Sequence, residues 1–184
     1  MKNILIGITG ASGSIYGIQL LKELKSREIT VHLILSQTAK QIIPYETGMK
    51  IEDVTSLANV TYEDDNLFAS PASGSFSIDA MVIVPCSMKT ISAVANGYAN
   101  TLISRSAMCV LKENKTLIVV PRETPFDVIG LKNMIKIHDA RGIILPANPG
   151  FYHKPKTLSD MIDFIVGKIL DQLSISHNLF KSWG

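Results

Sequence analysis

The chain has 184 residues, a formal net charge of +2, 46% hydrophobic residues and two cysteines; that length suits one domain burying roughly 70% of its unfolded surface. No run of lysines and arginines is dense enough for a polynucleotide footprint, and no apolar stretch approaches the ~18 residues of a membrane span, which disfavours nucleic-acid binding and membrane insertion. Cys86 and Cys109 lack metal-ligand or redox spacing, and Met1-Lys2-Asn3-Ile4 lacks the features of a secretory signal, so a reducing, cytoplasmic location is expected.

Asn3 to Ile8 reads as a short apolar strand, and Gly10-Ala11-Ser12-Gly13-Ser14 as a turn opening a helix through about Ser26. Ile29 to Leu35 is the next strand, followed by a helix over Gln37 to Thr47 disturbed by Pro44. From Met49 to Phe76 the chain is polar and mixed, with weak strand signal near Val60 to Tyr62 and a loose Pro71-Ala72-Ser73-Gly74-Ser75. Ala80 to Val84 forms a strand ended by Pro85, and helical pattern covers Lys89 to Asn96 and Thr101 to Lys112. The run Leu117-Ile118-Val119-Val120 is apolar enough for a strand buried on both faces. A helix over about Asp127 to His138, a short strand Gly142 to Leu145 and an amphipathic helix Leu158 to Leu173 complete the chain. Strands alternating with helices predict a single α/β domain over residues 1–184, with a doubly wound, mostly parallel Rossmann-like sheet between two helical layers.

Ligands of such sheets bind beyond the carboxyl ends of the strands. The first turn offers Gly10, Gly13 and the hydroxyls of Thr9, Ser12 and Ser14 to a phosphate, with amides at the start of the helix. Its spacing, Gly7-x-x-Gly10-x-x-Gly13, departs from the dinucleotide fingerprint, and Ser36-Gln37-Thr38 stands where a ribose-binding carboxylate belongs, so NAD is disfavoured. The third strand ends in Pro85-Cys86-Ser87-Met88-Lys89-Thr90, where Ser87 is also a natural helix cap and Cys86 a natural core residue. Pro121-Arg122-Glu123-Thr124-Pro125 follows the Leu117 strand and sets an anion-binding guanidinium beside a carboxyl group. The four histidines are too scattered to indicate a metal site or a triad. Hydroxyls at Ser12, Ser36, Ser87 and Thr90 with cations at Lys89, Arg105, Lys112 and Arg122 suit a mononucleotide plus a second small anion.

Thr9-Gly10-Ala11-Ser12-Gly13, Pro85-Cys86-Ser87-Met88-Lys89-Thr90, Leu111-Lys112-Glu113, Val120-Pro121-Arg122-Glu123-Thr124-Pro125, Asn133-Met134 and Pro149-Gly150-Phe151-Tyr152-His153 together resemble the UbiX-type flavin prenyltransferases. The match runs in order to Trp183 and is specific as a set. The resemblance implies a Rossmann-like flavoprotein that joins a dimethylallyl group, from dimethylallyl monophosphate, to N5 and C6 of reduced FMN. It further implies a homo-oligomer, a dodecamer in the family with flavin sites between subunits, no metal, and a UbiD-type decarboxylase as recipient of the prenylated FMN.

By the same resemblance, Gly10, Ala11, Ser12, Ser36, Ser87, Met88, Lys89, Thr90 and Arg122 match the family's FMN contacts. Tyr152 and Lys168 match the positions that hold the prenyl phosphate, while Arg105, Lys112 and Arg122 add positive charge as phosphate departs. Glu46 and Glu123 match proton-transfer roles, Ser12 lies beside the flavin N5, and Trp183 would shield a cationic prenyl group. Met108 stands where the family commonly has an acid, Gly130 where it often has histidine, and Lys168 where it often has arginine, which bears on the choice between monophosphate and diphosphate donors. Two alternatives stay open: an FMN-dependent cysteine decarboxylase of the same fold, and a flavin-binding subunit without chemistry.

Overall fold

The computed structural model describes residues 3–27, 29–181 and 183; of the opening tetrapeptide, Met1 and Lys2 lie outside the described residues. Among these residues six strands, β1 (Asn3–Ile8), β2 (Thr30–Leu35), β3 (Val60–Glu63), β4 (Ala80–Cys86), β5 (Thr116–Pro121) and β6 (Ile143–Ile144), form one sheet in the order β3-β2-β1-β4-β5-β6. Every pairing is parallel, with β1 at the centre: Gly7 lies opposite Ile34 of β2 on one side and Ile83 of β4 on the other. Among the described residues, seven α-helices accompany the sheet: α1 (Ser14–Lys25), α2 (Gln37–Thr47), α3 (Ile51–Thr55), α4 (Met88–Ala95), α5 (Leu102–Lys112), α6 (Val128–Asp139) and α7 (Leu158–Gln172).

Alternation along β1 divides the core between the two faces of the sheet. Ile4, Ile6 and Ile8 pack with Ile18 and Leu21 of α1 and with Ile165 and Ile169 of α7. Leu5, Met81 and Val119 face the other way, against Ile91 of α4, Ile103 and Ala107 of α5 and Ile137 of α6. Both faces are therefore covered, which explains the unbroken apolar runs. Helix α1 lies close to the sheet at Gly17, where an added Cβ would come within 2.5 Å of the Val84 carbonyl oxygen.

Three local expectations change. Strand β4 does not stop at Pro85 but runs to Cys86, because its ladder with β5 shifts register between Ile83 and Cys86 and tolerates a residue without an N–H. Helix α2 continues through Pro44, held by buried Ala39 and Ile43. The polar stretch after Met49 contains the short helix α3, anchored by buried Val54, and a single 3-10 turn at Ser70–Ala72. Among the described residues, no helix is long and apolar enough to cross a membrane.

Candidate functional site

Because all strands run one way, their carboxyl ends share one edge of the sheet. Connections diverge there: β1 leads outward through β2 to β3, and β4 starts the opposite half. Thr9 ties the two halves together. It is 2% exposed, its hydroxyl donates to the Pro85 carbonyl at 2.8 Å, and the same oxygen accepts from the Ser87 amide at 2.8 Å. The start of α4 is thereby fixed against the end of β1.

Beyond this junction lies a cavity of about 330 Å³, whose lining includes Gly10, Ser36, Thr38, Ser87, Lys89 and Thr90. Helices α2 and α4 both begin here. Ser36 caps α2 by accepting from the Ala39 amide, and Ser87 caps α4 by accepting from the Thr90 amide. The other first-turn amides have no partner inside their helices, and two positive helix ends joined by the Lys89 ammonium have the donors and charge that one phosphate requires. Asp64 and Asp65 line the same cavity. Asp64 accepts from the Ile103 amide at 2.9 Å; burial pushes its carboxyl up, against the pull of that amide, the Thr101 hydroxyl and Lys89. Phosphate donors on one side and carboxylate acceptors for hydroxyls on the other fit a phosphorylated polyol such as the ribityl phosphate of FMN.

The phosphate expected at the start of α1 has no room there. Gly13, in the left-handed region at φ 96°, caps α1 without a side chain, and the Glu46 carboxylate of α2 takes the place of an anion. Its Oε2 accepts from the Gly13 amide at 3.0 Å, the Ser14 amide at 3.0 Å and the Ser14 hydroxyl at 2.8 Å. Burial pushes Glu46 up, but hydrogen bonds from the Ser12 and Ser14 hydroxyls and the two amides outweigh it and hold the carboxyl below its ordinary value. Ser12, Gly13 and Glu46 line a second, wider cavity of about 750 Å³, so the 9–13 loop separates the phosphate cavity from this one. Arg122 reaches the same loop from the end of β5, its Nε donating to the Ser12 carbonyl at 3.0 Å. Glu123 is exposed, its Oε1 accepting from the Thr124 amide at 3.1 Å.

Thus Gly10, Ser36, Ser87, Lys89 and Thr90 meet around one cavity, while Ser12, Glu46 and Arg122 meet at the adjoining loop. Ala11 is buried within that loop, 7% exposed. Met88 turns toward α6, where a Cβ on Gly130 would lie 2.2 Å from its methyl group; glycine at 130 makes room for this side chain. Arg105 and Lys112 do not line either cavity within the chain. Arg105 Nε donates to the Ala72 carbonyl at 2.9 Å, and Lys112 lies 3.6 Å from Glu113. Tyr152 meets Phe164 edge-on at 5.6 Å and Trp183 at 5.5 Å. Lys168 does not touch Tyr152: it pairs with Asp171 at 3.1 Å and lies 5.8 Å over the Phe180 ring, which packs on Phe164. Cys86 is wholly buried and burial pushes its thiol far up, which removes it as a nucleophile. Among the described residues, no three His, Cys, Asp or Glu side chains are grouped to hold a metal. Sequence reasoning missed Asp64, Thr101 and Ser104 in the cavity wall; the parallel order of β3 at the sheet edge is the signal that brings Asp64 to it.

A family model described as Flavoprotein matches residues 1–170. A flavin prenyltransferase UbiX of Methanocaldococcus jannaschii is 49% identical over 181 residues, covering 98% of this chain and 98% of its own. The chain belongs to the UbiX family of flavin prenyltransferases. A crystal structure of AnUbiX (PadA1) in complex with FMN and dimethylallyl pyrophosphate superposes with a TM-score of 0.98 at 38% identity, covering 100% of this chain and 97% of that one. A dodecameric FMN-dependent UbiX-like decarboxylase from Escherichia coli O157:H7 matches at TM-score 0.97 and 37% identity, covering 99% of each. The peptidyl-cysteine decarboxylase EpiD shares the fold alone, with a TM-score of 0.69 at 18% identity, covering 95% of this chain and 99% of that one.

Proposed function

We propose that this chain is a flavin prenyltransferase that joins the dimethylallyl group of dimethylallyl monophosphate to N5 and C6 of reduced FMN. The observation that carries this reading is the division of labour at the 9–13 loop, with a built phosphate cavity on one side and Ser12, Glu46 and Arg122 on the other. Bound there, FMN supplies the nucleophilic nitrogen and carbon; the donor's carbon–oxygen bond breaks, phosphate leaves, and closure of the fourth ring requires protons to move. The residues of the chain do the rest. Ser36, Ser87, Lys89 and Thr90 hold the FMN phosphate, with Gly10 and Ala11 allowing close backbone approach. Arg122 holds the loop carrying Ser12 and adds positive charge where phosphate departs. Glu46, kept ionised, accepts a proton by way of Ser12, and exposed Glu123 is the second proton-transfer group, serving phosphate loss and ring closure. Tyr152, Lys168 and Trp183 receive the prenyl phosphate and its chain.

Arg105 and Lys112 line neither cavity of their own chain, which fits a homo-oligomer in which they serve a neighbour's site. Exposed apolar residues on α6, Ile129 at 66% and Ile135 at 59%, favour such burial, with a dodecamer as the assembly. One domain over residues 1–184 carries the activity, in the cytoplasm, where Cys86 and Cys109 remain thiols. A UbiD-type decarboxylase would receive the product. A cysteine decarboxylase of this fold would need a peptide site, and Arg122 with Glu123 suits a phosphate better. Anaerobic incubation with reduced FMN and either dimethylallyl monophosphate or pyrophosphate, read by mass spectrometry, tests the reading. The flavin should gain one isoprene unit; FMN recovered unchanged with both donors would leave a flavin-binding subunit instead.

A further inference from the structure

Ser14 is fully buried at the first position of α1, and its side chain makes one bond: the hydroxyl donates to Glu46 Oε2 at 2.8 Å. The same oxygen takes the Gly13 and Ser14 amides at 3.0 Å each, whereas Oε1 receives a longer 3.2 Å contact from the Gly13 amide, and the Ser12 hydroxyl is a further donor to the carboxylate. The carboxylate is therefore held unevenly. One oxygen is saturated by three donors and the other keeps acceptor capacity beside Ser12 and the wider cavity. Two amides and the hydroxyl converge on Oε2, and the hydroxyl, carried by a fully buried residue, makes the shortest of the three bonds that turn this oxygen toward the helix.

We infer that Ser14 is a positioning residue for the reaction, locking Glu46 with Oε2 on the helix and Oε1 available, and keeping that carboxylate charged. This rests on the proton-transfer role given to Glu46 above. A hydrogen bond from a hydroxyl stabilises the anion over the acid. Glu46 lies lower than an ordinary carboxyl, and without the hydroxyl its titration moves upward. The ionised fraction at mildly acidic pH then falls. The neighbouring charged and titratable groups are Lys22 of α1 in the cavity wall, Arg122 from the end of β5, Tyr16 beside Arg122, and Asp163 of α7 bonded to Gln19. Ser14→Ala leaves all of them in place.

The test compares wild type, Ser14→Ala and Ser14→Thr in the full-length protein. Carboxyl-labelled glutamate is followed by NMR against pH without flavin, and prenylation rate is followed against pH with reduced FMN and dimethylallyl monophosphate. The signal lost in Glu46→Gln identifies Glu46. In Ser14→Ala that signal should titrate at higher pH, and the acidic limb of the rate profile should move with it, costing about tenfold in rate on that limb per unit of displacement. The rate well above the limb should change less, and Ser14→Thr, which keeps a hydroxyl, should restore the profile. An unmoved Glu46 titration, or a rate lowered equally at every pH, would overturn the inference. Absence of prenylated flavin from the wild type would instead overturn the reading of function, and the NMR titration still decides whether Ser14 controls Glu46.

Discussion

Arg122 Nε and the Ser12 carbonyl oxygen lie 3.0 Å apart across 110 residues of chain, so the end of β5 holds the loop that follows β1. The guanidinium thereby fixes the loop as well as supplying charge. Lysine in its place keeps the charge but offers no rigid fork to span the carbonyl and an anion together. Arg122→Lys should weaken FMN binding and lower kcat/KM by about ten- to a hundredfold each, the scale of one hydrogen bond to a charged group. Titration of the apoprotein with FMN, followed by steady-state kinetics, measures both; unchanged values would make the bridge incidental.

Replacing Glu123 should separate chemistry from binding. It is exposed, bonded only to the next amide in the hydrogen bonds seen for it, and its charge would repel the FMN phosphate. Glu123→Gln is expected to retain FMN with affinity near that of the wild type. Prenylation should slow by roughly two to four powers of ten, the usual worth of a positioned acid or base. Normal turnover in single-cycle assays with reduced FMN would remove Glu123 from the proton path.

Glu46 also acts as the missing cap of α1, since Gly13 offers no side chain. Glu46→Gln should lower stability at neutral pH by about 1 kcal/mol, typical of a lost cap, or roughly 2 to 4 °C in Tm for a domain of this size. The pH dependence follows from the direction of its shift. A carboxyl held lower in the folded than in the unfolded chain contributes stability above the unfolded value and loses it as pH falls through the folded value. The Tm gap between wild type and Glu46→Gln should thus be largest near neutrality and close in acid. A constant gap across the range would show that the charge of Glu46 does not support α1.

The legible parts of the molecule are those set by local pattern. Buried strands such as Leu117 to Val120 and the cap residue Ser87 follow from composition and turn chemistry, and the hydroxyls read at the strand ends, Ser36 and Ser87, both line the cavity, although the cap that Ser36 makes on α2 emerges only in the structure. Long-range substitutions of one group for another are not written in any window of sequence. The start of α1 has the glycines and hydroxyls of a phosphate loop, yet a carboxylate 32 residues away occupies it. Likewise Arg105 and Lys112 carry the right charge, but the facing of α5 is set by its packing on Ala72 and the sheet rather than by their own chemistry.

Lys168 tests how far the donor site depends on one side chain. Its ammonium pairs with Asp171 and covers Phe180, with Phe164 between that ring and Tyr152. To grip a phosphate beside Tyr152 it must release Asp171, an exposed pair worth little by itself. Lys168→Ala should leave FMN affinity nearly untouched and reduce kcat/KM for dimethylallyl monophosphate by about ten- to a hundredfold. Lys168→Arg should match or exceed the wild type, because a guanidinium reaches further and binds phosphate with two prongs. Asp171→Asn, which frees the lysine, should lower KM for the donor without changing FMN affinity. Kinetics at varied donor concentration decide among these, and an unchanged kcat/KM in the alanine variant would place Lys168 outside the donor site, as an ordinary ion pair on the surface of α7.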